Sequence, residues 1–180
     1  LGQPSARLEN GKVLVESDPV ALQLVGNPTR RDALSQAFEK AQKEKSASPL
    51  LELGQLALPD RFWALKAAAL YTEPEELRGM LLETEEQAVS CMDWLGVSDL
   101  AISVYQDQAT ADLALNKAVK AAAHTVDHIR IGSHLRWKYD DPRRSRTSLA
   151  AAEAEAQSSN DWLLLAEAWI ALLEDGTASK

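Results

Sequence analysis

The stretch Trp162-Leu-Leu-Leu-Ala-Glu-Ala-Trp169-Ile-Ala-Leu-Leu173 predicts a helix that is apolar on nearly every side. Alanine and leucine are among the best helix formers. Trp162 and Trp169 are seven residues apart, which is two turns along one face. A helix without a polar face is either central to a fold or covered by another subunit. Two interpretations follow: Trp162 fills the core, as expected for Trp63 and Trp94, or Trp162 and Trp169 bind a partner.

Helix signals recur along most of the chain and predict an all-α fold. Alanine runs at residues 67–69, 121–123 and 150–152 allow helices to pack closely. Thr29 is expected to cap a helix that runs to about Lys45. Short connections between helices of about 8–20 residues favour an irregular orthogonal bundle or stacked helical hairpins of about eight or nine helices. The predicted buried face of the first long helix holds Leu34, Ala37, Phe38 and Ala41.

Capping residues and glycines predict the helix boundaries in the C-terminal half. The capping-box spacing of Thr84 and Gln87 predicts a helix start, and a glycine just beyond an apolar periodic run predicts a helix end. A charged loop over residues 140–146 is expected to lead to the last two helices. The predicted helices and their end signals are Thr84 to Gly96, Ser98 to Tyr105, Thr110 to Ile131 with a stop at Gly132, 147–157 and 161–174.

The N-terminal stretch differs from the rest because it predicts a β-hairpin. Asn10-Gly11 is the strongest short hairpin signal, since a type I′ turn needs a positive φ twice. A two-residue loop places Glu9 opposite Lys12 and Leu8 opposite Val13. The predicted organisation is a hairpin arm over residues 1–16, one helical domain over 17–176 and a disordered tail over 177–180. The arm either docks on its own domain or pairs with a partner strand.

A search for an internal repeat gives spacings but no matching neighbours. Trp63 and Trp94 are 31 residues apart, and Trp137 and Trp169 are 32 apart, close to helical-hairpin repeat periods. The residues around each pair do not match, so no repeat is predicted. Residues 168–176 look like the first helix of a tetratricopeptide repeat, but the complementary pattern of a second helix is absent.

Composition and charge narrow the classes of function. The formal net charge is −8, so general affinity for nucleic acid or an anionic membrane is not expected. No apolar stretch approaches the ~18–20 residues that a membrane span needs. Cys91 is the only cysteine, which excludes an intramolecular disulfide, and it is expected to be a small buried apolar residue. We expect a cytoplasmic protein.

The three histidines, His124, His128 and His134, fall within eleven residues and form the best candidate metal site. On one continuous helix His124 and His128 share a face and can chelate one divalent ion. A reversal after Gly132 would bring His134 to the pair. The spacing is similar to that of the long zinc motif of metzincin proteases, but Thr125 occupies the place of the Glu base. The alternative is ordinary, hydrogen-bonded histidines. Candidate oxygen ligands are Asp127, Asp140 and Asp141.

A basic segment over residues 130–146 is the best candidate partner surface besides the last helix. It carries six cations against two acids. Trp137 and Tyr139 lie among them, a composition that suits stacking on bases or binding a phosphate. The cations either pair with acids of the same chain, bind an acidic protein, or bind nucleic acid or a phosphorylated ligand. The cations are Arg130, Arg136, Lys138, Arg143, Arg144 and Arg146.

The sequence shows no glycine-rich phosphate loop, nucleophile elbow or CxxC pair. We therefore predict a non-enzymatic helical protein–protein interaction module, an adaptor or chaperone-like subunit that needs no cofactor. Its partner is another protein or a second copy bound through the last helix, and nucleic acid and membrane are not expected. The alternative is a metal-dependent hydrolase or metal-binding protein that uses His124, His128 and His134.

Overall fold

A computed structural model describes residues 7–9, 12–14, 28–53 and 58–177, which belong to two compact units, Leu1–Thr72 and Glu73–Lys180. The all-α prediction is confirmed: the described residues form nine α-helices, packed as helical hairpins. The prediction of a single helical domain over 17–176 stays a prediction. The helices are α1 (Pro28–Glu44), α2 (Ser48–Leu51), α3 (Leu58–Ala68), α4 (Arg78–Gln87), α5 (Cys91–Ser103), α6 (Gln108–Ala121), α7 (Thr125–Lys138), α8 (Pro142–Glu155) and α9 (Ser159–Thr177), with a 3₁₀ helix at Pro74–Leu77.

The first unit contains α1 to α3 and a pair of short strands. Leu34, Ala37 and Ala41 of α1 are buried, as the helical periodicity predicts. Phe38 of α1 meets Trp63 of α3 with ring centroids 5.6 Å apart. Strands β1 (Arg7–Glu9) and β2 (Lys12–Leu14) pair antiparallel in the predicted register. The predicted tail begins at Thr177, which ends the last helix instead. The Asn-Gly turn and residues 178–180 lie outside the described residues.

The predicted boundaries around residues 84–105 are wrong. Thr84 does not start a helix but lies buried inside α4, where its hydroxyl donates to the Leu81 carbonyl at 2.7 Å. The true start is a capping box in which Ser90 accepts from the N–H of Asp93, whose carboxylate accepts the Ser90 N–H. Helix α5 then continues through Gly96 and the buried Ser98. The cost of an internal glycine, about 1 kcal/mol, is outweighed by a helix whose apolar side is buried.

The predicted long helix from Thr110 to Ile131 is two helices, α6 and α7, separated at residues 122–124. Gly132 does not stop α7 but lies inside it. A Cβ added there would lie 3.0 Å from Leu149 Cδ2, so the glycine permits the close packing of α7 on α8. The predicted charged loop at 140–146 is mostly the first turn of α8, because Asp141 accepts from the Arg144 N–H at 2.9 Å and caps that helix.

The second unit contains a 34-residue structural repeat, so the prediction of no repeat is wrong. Helices α5, α7 and α9 begin at residues 91, 125 and 159, and α6 and α8 begin at 108 and 142. We call α5, α7 and α9 the first helices of the repeat, and α6 and α8 the second helices. The helix that precedes each first helix ends at an alanine with an extended backbone. The ψ angle is 125° at Ala88, 125° at Ala122 and 119° at Ala156.

The start of each first helix is held by an aspartate at the same repeat position. The carboxylate accepts a backbone N–H in all three repeats: Asp93 from Ser90 at 2.8 Å, Asp127 from Ala123 at 3.1 Å, and Asp161 from Ser158 at 2.9 Å. The bonds from Ser158 lower the pKa of Asp161. Because each aspartate satisfies donors at a helix N-terminus, the repeated residue explains why a new helix begins there.

The turns from first to second helix also repeat. Gln106 and Asp140 adopt the left-handed conformation, with φ 51° and 49°. The following aspartates, Asp107 and Asp141, donate their N–H groups to the carbonyls of Ala101 and Leu135 at 2.9 and 3.0 Å. Each then caps the second helix with its carboxylate, and the Thr110 backbone N–H lowers the pKa of Asp107. The tryptophan spacings of 31 and 32 residues do not reveal this repeat, because the residues that recur every 34 positions are small residues and helix-capping residues.

None of the helices within the described ranges is long and apolar enough to cross a membrane.

Candidate functional site

The last helix, α9, has an apolar side that the described part of the chain leaves uncovered. Trp162 is 51% exposed, Leu163 59% and Ile170 54%, and Ala166 between them is also exposed. The opposite side packs into the unit through the buried Leu165 and Leu172. We call the exposed group, Trp162, Leu163, Ala166 and Ile170, the end face.

The repeat shows what covers the corresponding residues elsewhere. Leu95, which corresponds to Leu163, is only 7% exposed and clusters with Leu115 and Ala118 of α6, the second helix of its own hairpin. Ile131 and Leu135 of the next first helix complete that cluster. The position thus packs against a second helix and against the following first helix.

Ile129, at the same repeat position in α7, has equivalent surroundings. It packs on a cluster that contains Leu149 and Ala152 of α8 and Leu165 and Leu172 of α9. Helix α9 is the last helix of the described chain, and Leu163 on it is exposed. The end face is therefore the side that the repeat uses for helix packing.

A small residue marks the crossing of first and second helices. The repeat position is Ser98 in α5 and Gly132 in α7, both buried. Next to Gly132, the backbone oxygen of Ser145 lies 3.3 Å from where a Cβ would be, which shows how closely the two helices approach. Helix α9 has Ala166 at this position, and it is exposed. The end face retains the small residue without a helix crossing it.

In the other two repeats, the residue that corresponds to Trp162 lies next to a charged side chain of the second helix. In the first, the Lys117 ammonium of α6 lies 4.1 Å from the centroid of the Trp94 ring, a cation–π contact. In the second, His128 Nε2 is 3.5 Å from Glu155 Oε1 of α8. Trp162 itself is half exposed, which contradicts the interpretation that it fills the core.

Trp169 has more contacts within the chain than Trp162. Trp169 is partly buried against the cluster of Leu149 and Leu165, and its indole N–H donates to Glu153 Oε1 at 2.8 Å. It holds α9 on α8 of the same chain. Sequence analysis predicted the apolar helix as a whole but did not single out Leu163, Ala166 and Ile170. Aligning the segments that begin at Ala88, Ala122 and Ala156 would have revealed them.

The three histidines are not brought together. The break before α7 makes His124 the exposed, extended N-cap residue (φ −142°, ψ 155°), so the two histidines do not lie on one continuous helix as predicted. His128 lies near Glu155, and His134 Nε2 is 3.1 Å from Ser98 Oγ. Asp127 caps α7. Among the described residues, no group of three or more His, Cys, Asp or Glu side chains is arranged to hold a metal ion.

Much of the basic segment is engaged within the chain. Lys138 Nζ is 2.9 Å from Asp99 Oδ1, Arg136 pairs with Asp140, and Arg144 lies 3.9 Å from Asp141. These ion pairs agree with the first of the three interpretations of the segment.

The rest of the basic segment divides into buried and exposed groups. The Tyr139 hydroxyl is 3.0 Å from Ser98 Oγ, and burial raises the pKa of Tyr139. Arg130 is partly buried. Trp137 is exposed, with the Arg136 guanidinium 5.5 Å from its ring centroid. Arg143 and Arg146 are exposed on the first turns of α8.

Comparisons of the chain with protein-family models, with curated proteins and with solved structures find no match.

Proposed function

We propose that the chain is a non-enzymatic protein-interaction module, an adaptor or chaperone-like subunit that holds a partner protein through the end face of α9. The observation that carries the proposal is the exposure of Leu163 at 59%, where Leu95 at the same repeat position is at 7%. Exposed contiguous apolar groups mark interaction sites in folded proteins.

The repeat architecture supports the same function. A helical hairpin recurring every 34 residues has the period of tetratricopeptide repeats. Such arrays stack units that cannot bury their apolar faces alone, and their terminal units normally present a polar outer face. The last described helix presents an apolar face instead. A partner that covers this face would complete the packing.

The test is capture of binding proteins by the immobilised full chain, with Leu163→Asp as the disrupting variant. Losing the burial of one leucine corresponds to about 1.5–3 kcal/mol, so binding is expected to weaken at least about tenfold. Leu82→Asp is the matched control, because Leu82 is equally exposed on α4, far along the chain from the end face.

Circular dichroism checks that both variants keep the wild-type helix content, as expected for substitutions at exposed sites. Proteins retained by wild type and Leu82→Asp but lost with Leu163→Asp would support the proposal. Equal capture by all three chains would rule out the end face as the partner surface.

A further inference from the structure

We infer that the end face takes one basic α-helix of a partner protein, which docks as the second helix of a hairpin with α9. This inference rests on the proposed function and names the chemistry of its partner. The docking helix would carry small residues at positions 1, 4 and 8 of one side and leucine at position 5.

The pattern comes from the two second helices of the chain itself. Helices α6 and α8 bury the same four repeat positions, and in both the residue types are small, small, leucine and alanine. Small side chains are required because the helices approach closely: a Cβ added to Gly132 would lie 3.3 Å from the backbone oxygen of Ser145. The buried sets are Ala111, Ala114, Leu115 and Ala118 in α6, and Ser145, Ser148, Leu149 and Ala152 in α8.

Helix α9 carries the residues that receive such a helix. Leu163 corresponds to Leu95, which packs on Leu115 and Ala118 of α6. Ala166 corresponds to Gly132, which packs on Leu149 of α8, and to Ser98 of α5, which is buried although it carries a Cβ. Both are exposed on α9, so the receiving surface is formed and open.

The charge of α9 indicates that the partner helix is basic. Helix α9 contains four acidic and no basic residues, and the whole chain has a net charge of −8. The indole of Trp162 occupies the position where Trp94 receives the Lys117 ammonium of α6. A lysine six residues after the first small residue would reach Trp162 in the same way, so a basic helix fits both the ring and the surrounding field.

A second copy of this chain fits the end face less well. Its two helices of the required pattern, α6 and α8, already bury those residues within their own hairpins. Pairing the end faces of two copies would bring two sets of acids together. Like charges placed in one interface oppose association.

The probe is a synthetic peptide with the α6 sequence, residues 107–121, acetylated and amidated, titrated into the full chain by calorimetry. It carries Asp107→Asn and Asp112→Arg, the second being the residue that α8 has at that position (Arg146), so that the peptide is basic. Isolated helices of this length are marginal in water. A lactam between an Asn116→Glu substitution and Lys120, both exposed in α6, therefore fixes the helix, and circular dichroism verifies it. One peptide is expected to bind per chain.

Five variants locate the contact. Leu163→Asp in the protein and Leu115→Asp in the peptide are each expected to weaken binding at least about tenfold. Leu113→Asp is the matched peptide control, because Leu113 is exposed in α6 and should change the affinity by less than about twofold. Restoring Asp112 in the peptide should weaken binding, and so should Lys117→Glu.

Three results would overturn the inference. One is no binding of the constrained peptide, and another is binding that Leu163→Asp leaves unchanged. The third is a wild-type dimer in analytical ultracentrifugation that Leu163→Asp dissociates, because the end face would then belong to a second copy. Proteins that the full chain captures in a Leu163-dependent manner would uphold the proposed function even if the peptide failed.

Discussion

The Cys91 thiol shows how a single residue of this chain is controlled by its surroundings. Cys91 begins α5, is 3% exposed and packs with Leu115, Ile131 and Leu135. Burial, with a smaller effect of Asp127, raises its pKa from 9.0 to about 12. The prediction of a small buried apolar residue is confirmed. Since the thiolate is the reactive form, Cys91 is structural at neutral pH.

We expect Cys91 of the native protein to resist Ellman's reagent at pH 8 and to react fully in denaturant. Because its folded pKa lies above the unfolded value, the stability linked to it is complete below about pH 9 and declines as the pH rises towards about 12. Tyr105, whose pKa burial also raises to about 12, adds to the same decline. Urea unfolding between pH 7 and 11 measures the loss, and Cys91→Ala should reduce it. Rapid stoichiometric labelling of the native chain would contradict the expectation.

At the scale of the element, packing decides which helix signals operate. The sequence predicts helix starts at Thr84, Ser98 and Thr110, but the cap of α5 is Ser90, where the chain leaves α4. The face of α1 and the all-α class could be predicted, because periodicity and alanine content act along whole segments. The ends of individual helices and the placement of the three histidines could not be predicted, because they depend on which neighbour each helix packs against.

Two glycines with opposite surroundings test whether packing outweighs helix propensity. Gly132→Ala places a Cβ 3.0 Å from Leu149 Cδ2 and 3.3 Å from the Ser145 oxygen, inside a buried contact. The overpacking cost should exceed the gain in helix propensity and give a net loss of about 1–2 kcal/mol. Gly79→Ala in α4 meets nothing within 4 Å and should stabilise by about 0.5–1 kcal/mol. Urea unfolding of both variants measures whether the free energy of unfolding falls or rises. Stabilisation by Gly132→Ala would show that α7 and α8 can separate without cost.

Across the second unit, the candidate surface follows from the order of the helices rather than from any one motif. Each first helix is covered by the second helix of its own hairpin and by the next first helix, as α6 and α7 cover Leu95. In such arrays stability is close to a sum of units and nearest-neighbour interfaces. The end face is open because α9 is the last described element of the series, and that could not be inferred before the period was known.

This organisation predicts that damage to α9 stays local. Leu165 is buried between α9 and α8, and Leu165→Ala should cost about 2–5 kcal/mol. Because interactions in a repeat array pass only between neighbours, amides of α9 should lose hydrogen-exchange protection while those around Leu100 in α5 keep theirs. Leu163→Ala on the exposed side of the same helix is the control and should change protection by less than about 0.5 kcal/mol. An equal loss of protection in all helices of the second unit would show that it unfolds as one cooperative body.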